Sequence, residues 1–141
     1  VLLEGVIGLR ACLVDVDNRA AARTAAEHLI ALGHRRLAHL AGPAYSLHTR
    51  ERADGVREAC SAAEVRFGDA QCVPAGAQLE DGYRAARALF DGVPADERPT
   101  GVTCYNDLVA VGVCRALADL GLRVPHDVSV VGFDDIALAR Y

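Results

Sequence analysis

Nine polar residues fall in four groups, each behind a short apolar run: Asp15 and Asp17; Ser46, His48 and Arg52; Asn106 and Asp107; Asp134 and Asp135. Carboxylates accept hydrogen bonds from vicinal hydroxyls, an amide both accepts and donates, and arginine offers a planar fork of donors. Such a set suits a sugar, a polyol or a nucleoside-like ligand. Catalysis lacks comparable support. Gly-x-Ser-x-Gly, His-Glu-x-x-His, a Walker phosphate loop and Gly-x-Gly-x-x-Gly are all missing, so no enzyme class and no cofactor or metal is expected. Of five histidines only His48 falls among the groups, and no nucleophile stands beside it; His28, His34 and His39 read as helix-surface, turn and strand residues.

Each residue also has a plainer role open to it. Asp17 with Asn18, and Asn106 with Asp107, are equally helix caps. Asp134-Asp135 is equally a turn, and Arg52 equally a surface charge on a helix. Convergence on one edge of a sheet favours the ligand reading. On that reading an arginine in a cleft holds no core, and its removal leaves the fold intact.

The elements that would position these groups alternate. Strands are expected at 12–16, 37–41, 71–73, 101–104 and 128–131, and helices at about 19–32, 49–63, 79–90 and 107–120. Gly33 and Gly121 end two of the helices. Inward faces are expected at Ala22, Ala26 and Leu29; at Ala53, Val56, Cys60 and Ala63; and at Tyr83, Ala86 and Phe90. Five strands alternating with four helices give an α/β domain, a mainly parallel sheet with helices on both faces. In open sheets of this kind ligands bind beyond the carboxyl ends of the strands, where the four groups stand.

Composition agrees with a binding module. The 141 residues suit one domain, 52% of them are hydrophobic and 24% charged, so a core is affordable. Net charge is −4 and all 15 basic residues are arginine, scattered among acids as in Arg50-Glu51-Arg52. A mixed-charge surface is expected rather than a basic nucleic-acid stripe. The five cysteines, Cys12, Cys60, Cys72, Cys104 and Cys114, include no Cys-x-x-Cys, which argues against a disulfide framework or zinc site and for a reducing cytosol. No apolar run is long enough for a membrane span, and no leader is visible.

Four stretches resemble the LacI/GalR family of bacterial transcriptional regulators. They are Val14-Asp15-Val16-Asp17-Asn18, Leu32-Gly33-His34-Arg35-Arg36-Leu37-Ala38-His39-Leu40-Ala41-Gly42-Pro43, Asn106-Asp107-Leu108-Val109-Ala110-Val111-Gly112, and Gly121-Leu122-Arg123-Val124-Pro125-His126-Asp127-Val128-Ser129-Val130-Val131-Gly132-Phe133-Asp134-Asp135. The resemblance runs from about Leu13 to Tyr141. It implies the carboxyl-side lobe of a two-lobed, periplasmic-binding-protein-like (type I) sensor. Residues 1–10 would end a first-lobe strand and its crossover, and 11–141 would form the second lobe. The DNA-binding headpiece, most of the first lobe and a final returning segment would lie elsewhere, so operator DNA is reached only through the headpiece.

By position, the resemblance makes Arg52 a ligand-gripping residue and gives Asp17, Asn106, Asp107 and Asp134 as polar effector contacts. It makes Ser46 and His48 loop contacts and matches Glu4 to a first-lobe acid. His48 stands where a small hydroxyl residue is usual, and Ala77 where many relatives place a stacking aromatic. A periplasmic sugar-binding protein of an ABC transporter shares the fold and is the alternative; the cysteines and the stretch 124–135 favour the cytoplasmic regulator.

One helix carries a second expectation. Ala110, Val113, Leu117 and Leu120 form a stripe for the sheet. Leu108, Val111, Gly112, Cys114 and Ala118 form another, interrupted by Arg115 and Asp119. Either the second stripe is a tolerant surface, or, as the resemblance implies, it meets its copy across a two-fold axis in a homodimer. The interface would then hold Leu108, Val111, Cys114, Arg115 and Tyr141.

Overall fold

The structure, a computed structural model, describes residues 2–3 and 13–140. Glu4, Cys12 and Tyr141 lie outside the described residues, as does most of the 1–10 stretch. In chain order the elements are β1 (Leu2–Leu3), β2 (Leu13–Val14), α1 (Asn18–Ala31), β3 (Leu37–Ala41), α2 (Leu47–Ala62), β4 (Cys72–Pro74), α3 (Leu79–Phe90), β5 (Gly101–Cys104), α4 (Asp107–Asp119) and β6 (Ser129–Val131). Short 3₁₀ turns cover Asp69–Gln71 and Ala137–Arg140.

The main sheet is parallel throughout, in the order β4-β3-β5-β6. It has four strands, not the five expected. The run at 12–16 is a strand only over Leu13–Val14, and it pairs with β1 in a separate parallel pair. Local bonds end it: the Asp15 carboxylate accepts from the Val16 amide at 2.7 Å, and Asn18 N–H donates to the Val16 carbonyl at 2.8 Å. Backbone groups satisfied in this way are lost to a sheet ladder.

The central strands β3 and β5 are buried along their whole length, as strands covered on both faces must be. Leu40 packs under α3 and α4 with Ala86, Phe90, Val109, Val113 and Leu117. Leu37, three residues earlier, packs under α1 and α2 with Ala22, Ala26, Leu29, Val56 and Cys60. Odd spacing along a strand reverses the face, so one strand seeds two cores. His39 shares the face of Leu37 and is 1% exposed. Its Nδ1 lies 3.0 Å from Thr103 Oγ1, and burial lowers its pKa to about 4.

Each helix pair crosses closely. A Cβ at Gly55 of α2 would overlap the Arg19 carbonyl oxygen of α1. One at Gly82 would meet the Val109 carbonyl, and one at Gly112 the Leu79 carbonyl. This corrects two expected faces. Gly112 is buried against α3 rather than outward; the expected stripe Ala110, Val113, Leu117 and Leu120 packs in the core, and Val109, Ala116 and Asp107 widen the buried arc. On α2 the buried side includes Arg52 and Ala59, while Ala63 is exposed. Contact with a neighbouring helix as well as the sheet widens the buried arc beyond the single stripe a sheet alone would select.

Candidate functional site

The carboxyl edge of the main sheet is where the chain leaves its strands in polar loops. Beyond β3, residues 42–46 lead to α2. Beyond β5 stand Tyr105 and Asn106, and beyond β6 the chain turns through Gly132, Phe133, Asp134 and Asp135. These exits surround an open cleft of about 360 Å³, lined by Ser46, His48, Arg52, Tyr105, Asn106 and Asp134, with Pro43, Tyr45, Leu47 and Ala77 at its sides.

Arg52 organises the cleft. Its Nε donates to Asn18 Oδ1 at 2.9 Å, and one terminal nitrogen donates to the Tyr105 carbonyl. The other lies 3.9 Å from Asp134 Oδ1. Its guanidinium stacks over Phe133, 3.6 Å from the ring centroid, and faces Tyr105 at 4.8 Å. Only 7% of Arg52 is exposed. The residue therefore ties α1, α2, the end of β5 and the loop after β6 together. Its removal is therefore expected to cost the fold stability, because the Asn18 amide and the Tyr105 carbonyl lose their donor.

Ser46 caps the start of α2 without a side-chain cap bond, and its Oγ instead lies 3.3 Å from the Tyr105 hydroxyl. Because α2 begins two residues earlier than expected, His48 sits in its first turn. Its Nε2 reaches Asp15 Oδ2 at 3.0 Å. Desolvation raises the Asp15 carboxyl, but the Val16 amide, His48 and Asn18 outweigh it and hold it below the ordinary carboxylate range. Asn106 caps α4, accepting from Val109 N–H at 2.9 Å, while its Nδ2 donates to the Ala77 carbonyl at 3.0 Å.

Two predicted contacts are not in the cleft. Asp17 is exposed and caps α1, its Oδ1 accepting from Ala20 N–H at 2.9 Å. Asp107 is 7% exposed and holds the loop after β6. Its backbone N–H donates to the Phe133 carbonyl and its Oδ2 accepts from Ile136 N–H, both at 2.9 Å. Between those two bonds Asp134 and Asp135 are held at φ of 106° and 56°, a region non-glycine residues enter at a cost and only when their surroundings impose it. Asp107 thus positions Phe133 and Asp134 from behind.

Tyr105, Phe133 and Tyr45 were not singled out by sequence. The first two are chain neighbours of Asn106 and Asp134, so a search one residue either side of each polar group would have found them. Tyr45 is 90% exposed and lines the cleft, as does the small Ala77. Arg52 and Asp134 oppose one another in charge, and hydroxyl, imidazole and amide groups complete the lining. Such a lining offers both donors and acceptors.

A second concavity, of about 500 Å³, lies on the outer side of α4, with Val111, Cys114, Arg115, Val124 and Leu138 in its walls. Cys114 and Arg115 are exposed and Leu108 and Val111 half-buried. Among the described residues no helix is long and apolar enough to cross a membrane, and no group of three or more His, Cys, Asp or Glu is placed to hold a metal.

Residues 26–141 match the periplasmic binding protein-like domain family. The HTH-type transcriptional regulator CelR of Thermobifida fusca is 37% identical over 128 residues, covering 91% of this chain and 37% of that protein. The HTH-type transcriptional repressor PurR of Haemophilus influenzae is 33% identical over 117 residues, covering 83% of this chain and 34% of that one. The chain thus spans about a third of the length of these relatives. Among solved structures, a complex of transcriptional regulator CelR with cellobiose superposes with a TM-score of 0.90 at 34% identity, over 99% of this chain and 42% of that one. A LacI-family regulatory protein from Chloroflexus aggregans gives 0.89 at 32% identity, over 95% and 47%.

Proposed function

Because the chain belongs to the periplasmic binding protein-like domain family, in the form carried by LacI-family regulators, we propose that it is one lobe of the effector sensor of a cytoplasmic transcriptional regulator whose effector is a neutral sugar. The observation that carries this is the single cleft at the carboxyl edge, where Ser46, His48, Arg52, Tyr105, Asn106 and Asp134 converge. The cleft is half a site: it opens away from the sheet, and a second lobe would close it over the ligand. The β1–β2 pair stands apart from the main sheet, as a strand pair of another lobe would. Operator DNA would be bound by a headpiece outside this chain. The relatives are regulators, which favours this reading over the transporter-associated sugar-binding protein.

A homodimer is the second part of the reading. The outer face of α4, with its half-buried valine and exposed Cys114 and Arg115 bordering an apolar concavity, is suited to meet its own copy, since a two-fold contact brings the same patch from both sides.

The test is a thermal-shift series on the full-length protein with cellobiose, glucose and guanosine, because a ligand that binds only the folded state raises its melting temperature. Cellobiose or glucose should raise it, and His48→Ala should shrink the rise. A rise with guanosine and none with either sugar would overturn the sugar assignment.

A further inference from the structure

Most arginines whose partners are described sit against carboxylates: Arg19 with Glu58, Arg23 with Glu27, Arg57 with Asp54, Arg84 with Asp81, Arg87 with Asp91 and Arg123 with Asp127. The amino edge of the main sheet departs from this. There Arg35, Arg36 and Arg66 line one concavity of about 370 Å³, and none of the three has a salt bridge among the described residues.

Two of these guanidinia are held without being neutralised. Arg35 donates to the carbonyls of Ile30 and His34, each at 3.0 Å. Arg36 Nε donates to the Arg98 carbonyl at 2.7 Å. A carbonyl fixes an arginine's direction but leaves its whole charge, whereas a carboxylate cancels it. The single acid in the lining is Glu97, and Leu37, Leu89 and Pro99 supply apolar wall. Beside the concavity, Arg98 Nε is buried with no hydrogen-bond partner among the described residues. Three cations against one anion leave an excess that matches a phosphomonoester, which carries about −1.5 to −2 at neutral pH. The arginine fork fits phosphate oxygens in pairs. The volume falls within the range of about 300–1,000 Å³ that small-molecule sites occupy.

We propose that this concavity is a second ligand site, which takes a small phosphorylated molecule with its phosphate on Arg35, Arg36 and Arg66 and its organic part against the apolar wall. It is independent of the sugar cleft, which opens at the opposite edge of the same sheet.

The test is calorimetry on the full-length protein with inorganic phosphate and phenyl phosphate, in about 0.15 M chloride so that diffuse surface charge is screened beyond about 8 Å. Phenyl phosphate should bind more tightly than phosphate, and the Arg36→Gln/Arg66→Gln double variant should weaken it at least tenfold. The Arg19→Gln/Arg23→Gln variant removes the same charge from α1 and should leave binding unchanged. Cellobiose at saturation should not displace phenyl phosphate. No binding of either anion, equal loss in both double variants, or displacement by cellobiose would overturn the proposal. Binding of random duplex DNA that responds to the first variant, with no phenyl phosphate binding, would overturn it in favour of a nucleic-acid surface.

Discussion

Arg52 and Arg36 stand at opposite ends of one parallel sheet and use the same side chain differently. Arg52 is enclosed: an amide oxygen, a carbonyl and an aromatic ring hold it, with the Asp134 carboxylate at 3.9 Å. Arg36 is exposed and held through Nε alone. At the carboxyl edge the guanidinium belongs to the fold as much as to the cleft, while at the amino edge it is oriented but costs the fold little. An arginine's partners, more than its place in a loop or helix, decide which of the two it becomes.

Urea denaturation of single variants puts this contrast to its hardest test. Arg52→Ala should lose about 1–3 kcal/mol, the cost of leaving the buried Asn18 amide and the Tyr105 carbonyl without their donor. Arg36→Ala should stay within about 0.5 kcal/mol of the parent, as surface substitutions do. Equal losses would erase the distinction between the two ends.

His39 lies between them, in the middle of the sheet. Desolvation dominates its lowered pKa, and Arg52 and Arg57 oppose its protonation further. The unfolded chain takes up this proton near pH 6.5 and the folded chain only near 4. The neutral ring's contribution is therefore complete above pH 6.5 and is lost as pH falls towards 4, at most about 3 kcal/mol at 1.36 kcal/mol per unit. Stability measured across that window should fall with acidity, and His39→Gln should flatten the slope. An unchanged slope would place the proton elsewhere. Asp127, lowered to about 2 chiefly by its hydrogen bond from Arg123, contributes fully above about pH 4 and adds to the slope only as pH falls from there towards 2.

Asp107→Ala should cost about 2 kcal/mol, since it removes the acceptor of the Ile136 amide and a buried charged group's hydrogen bond. On the proposed function it should also weaken sugar binding, by releasing Phe133 and Asp134. If calorimetry showed full affinity, the loop would be held by other means. Val111→Glu should change stability by under about 1 kcal/mol at a half-exposed position. On the proposed dimer, however, it places two like charges together, and sedimentation should find monomers.

The alternation of strands and helices was legible from apolar periodicity, and the cleft from where its polar groups stand relative to the strand ends. What was not legible has specific causes. Asp17 and Asp107 carry the same acceptor oxygens as the cleft residues, and only the structure shows them bonded to the Ala20 and Ile136 amides. The strand at 12–16 was read with the main sheet because apolar runs do not name their partner. The expected sheet-facing stripe of α4, Ala110, Val113, Leu117 and Leu120, does pack in the core; Gly112 was placed outward because the pattern of one helix does not reveal that another crosses it there.

That crossing bears on how sequences related to this one can diverge. Where Gly82 and Gly112 bring α3 and α4 together, backbone touches backbone, so the spacing of the two helices owes nothing to the identity of a side chain. The outward positions of α4, Val111, Cys114, Arg115 and Ala118, are not among its buried residues. Substitutions there alter what the surface recognises and leave the helix pair in register. If that face is the dimer contact proposed above, a lineage can exchange one assembly partner for another through changes on it alone, while a side chain at either glycine would force the two helices apart.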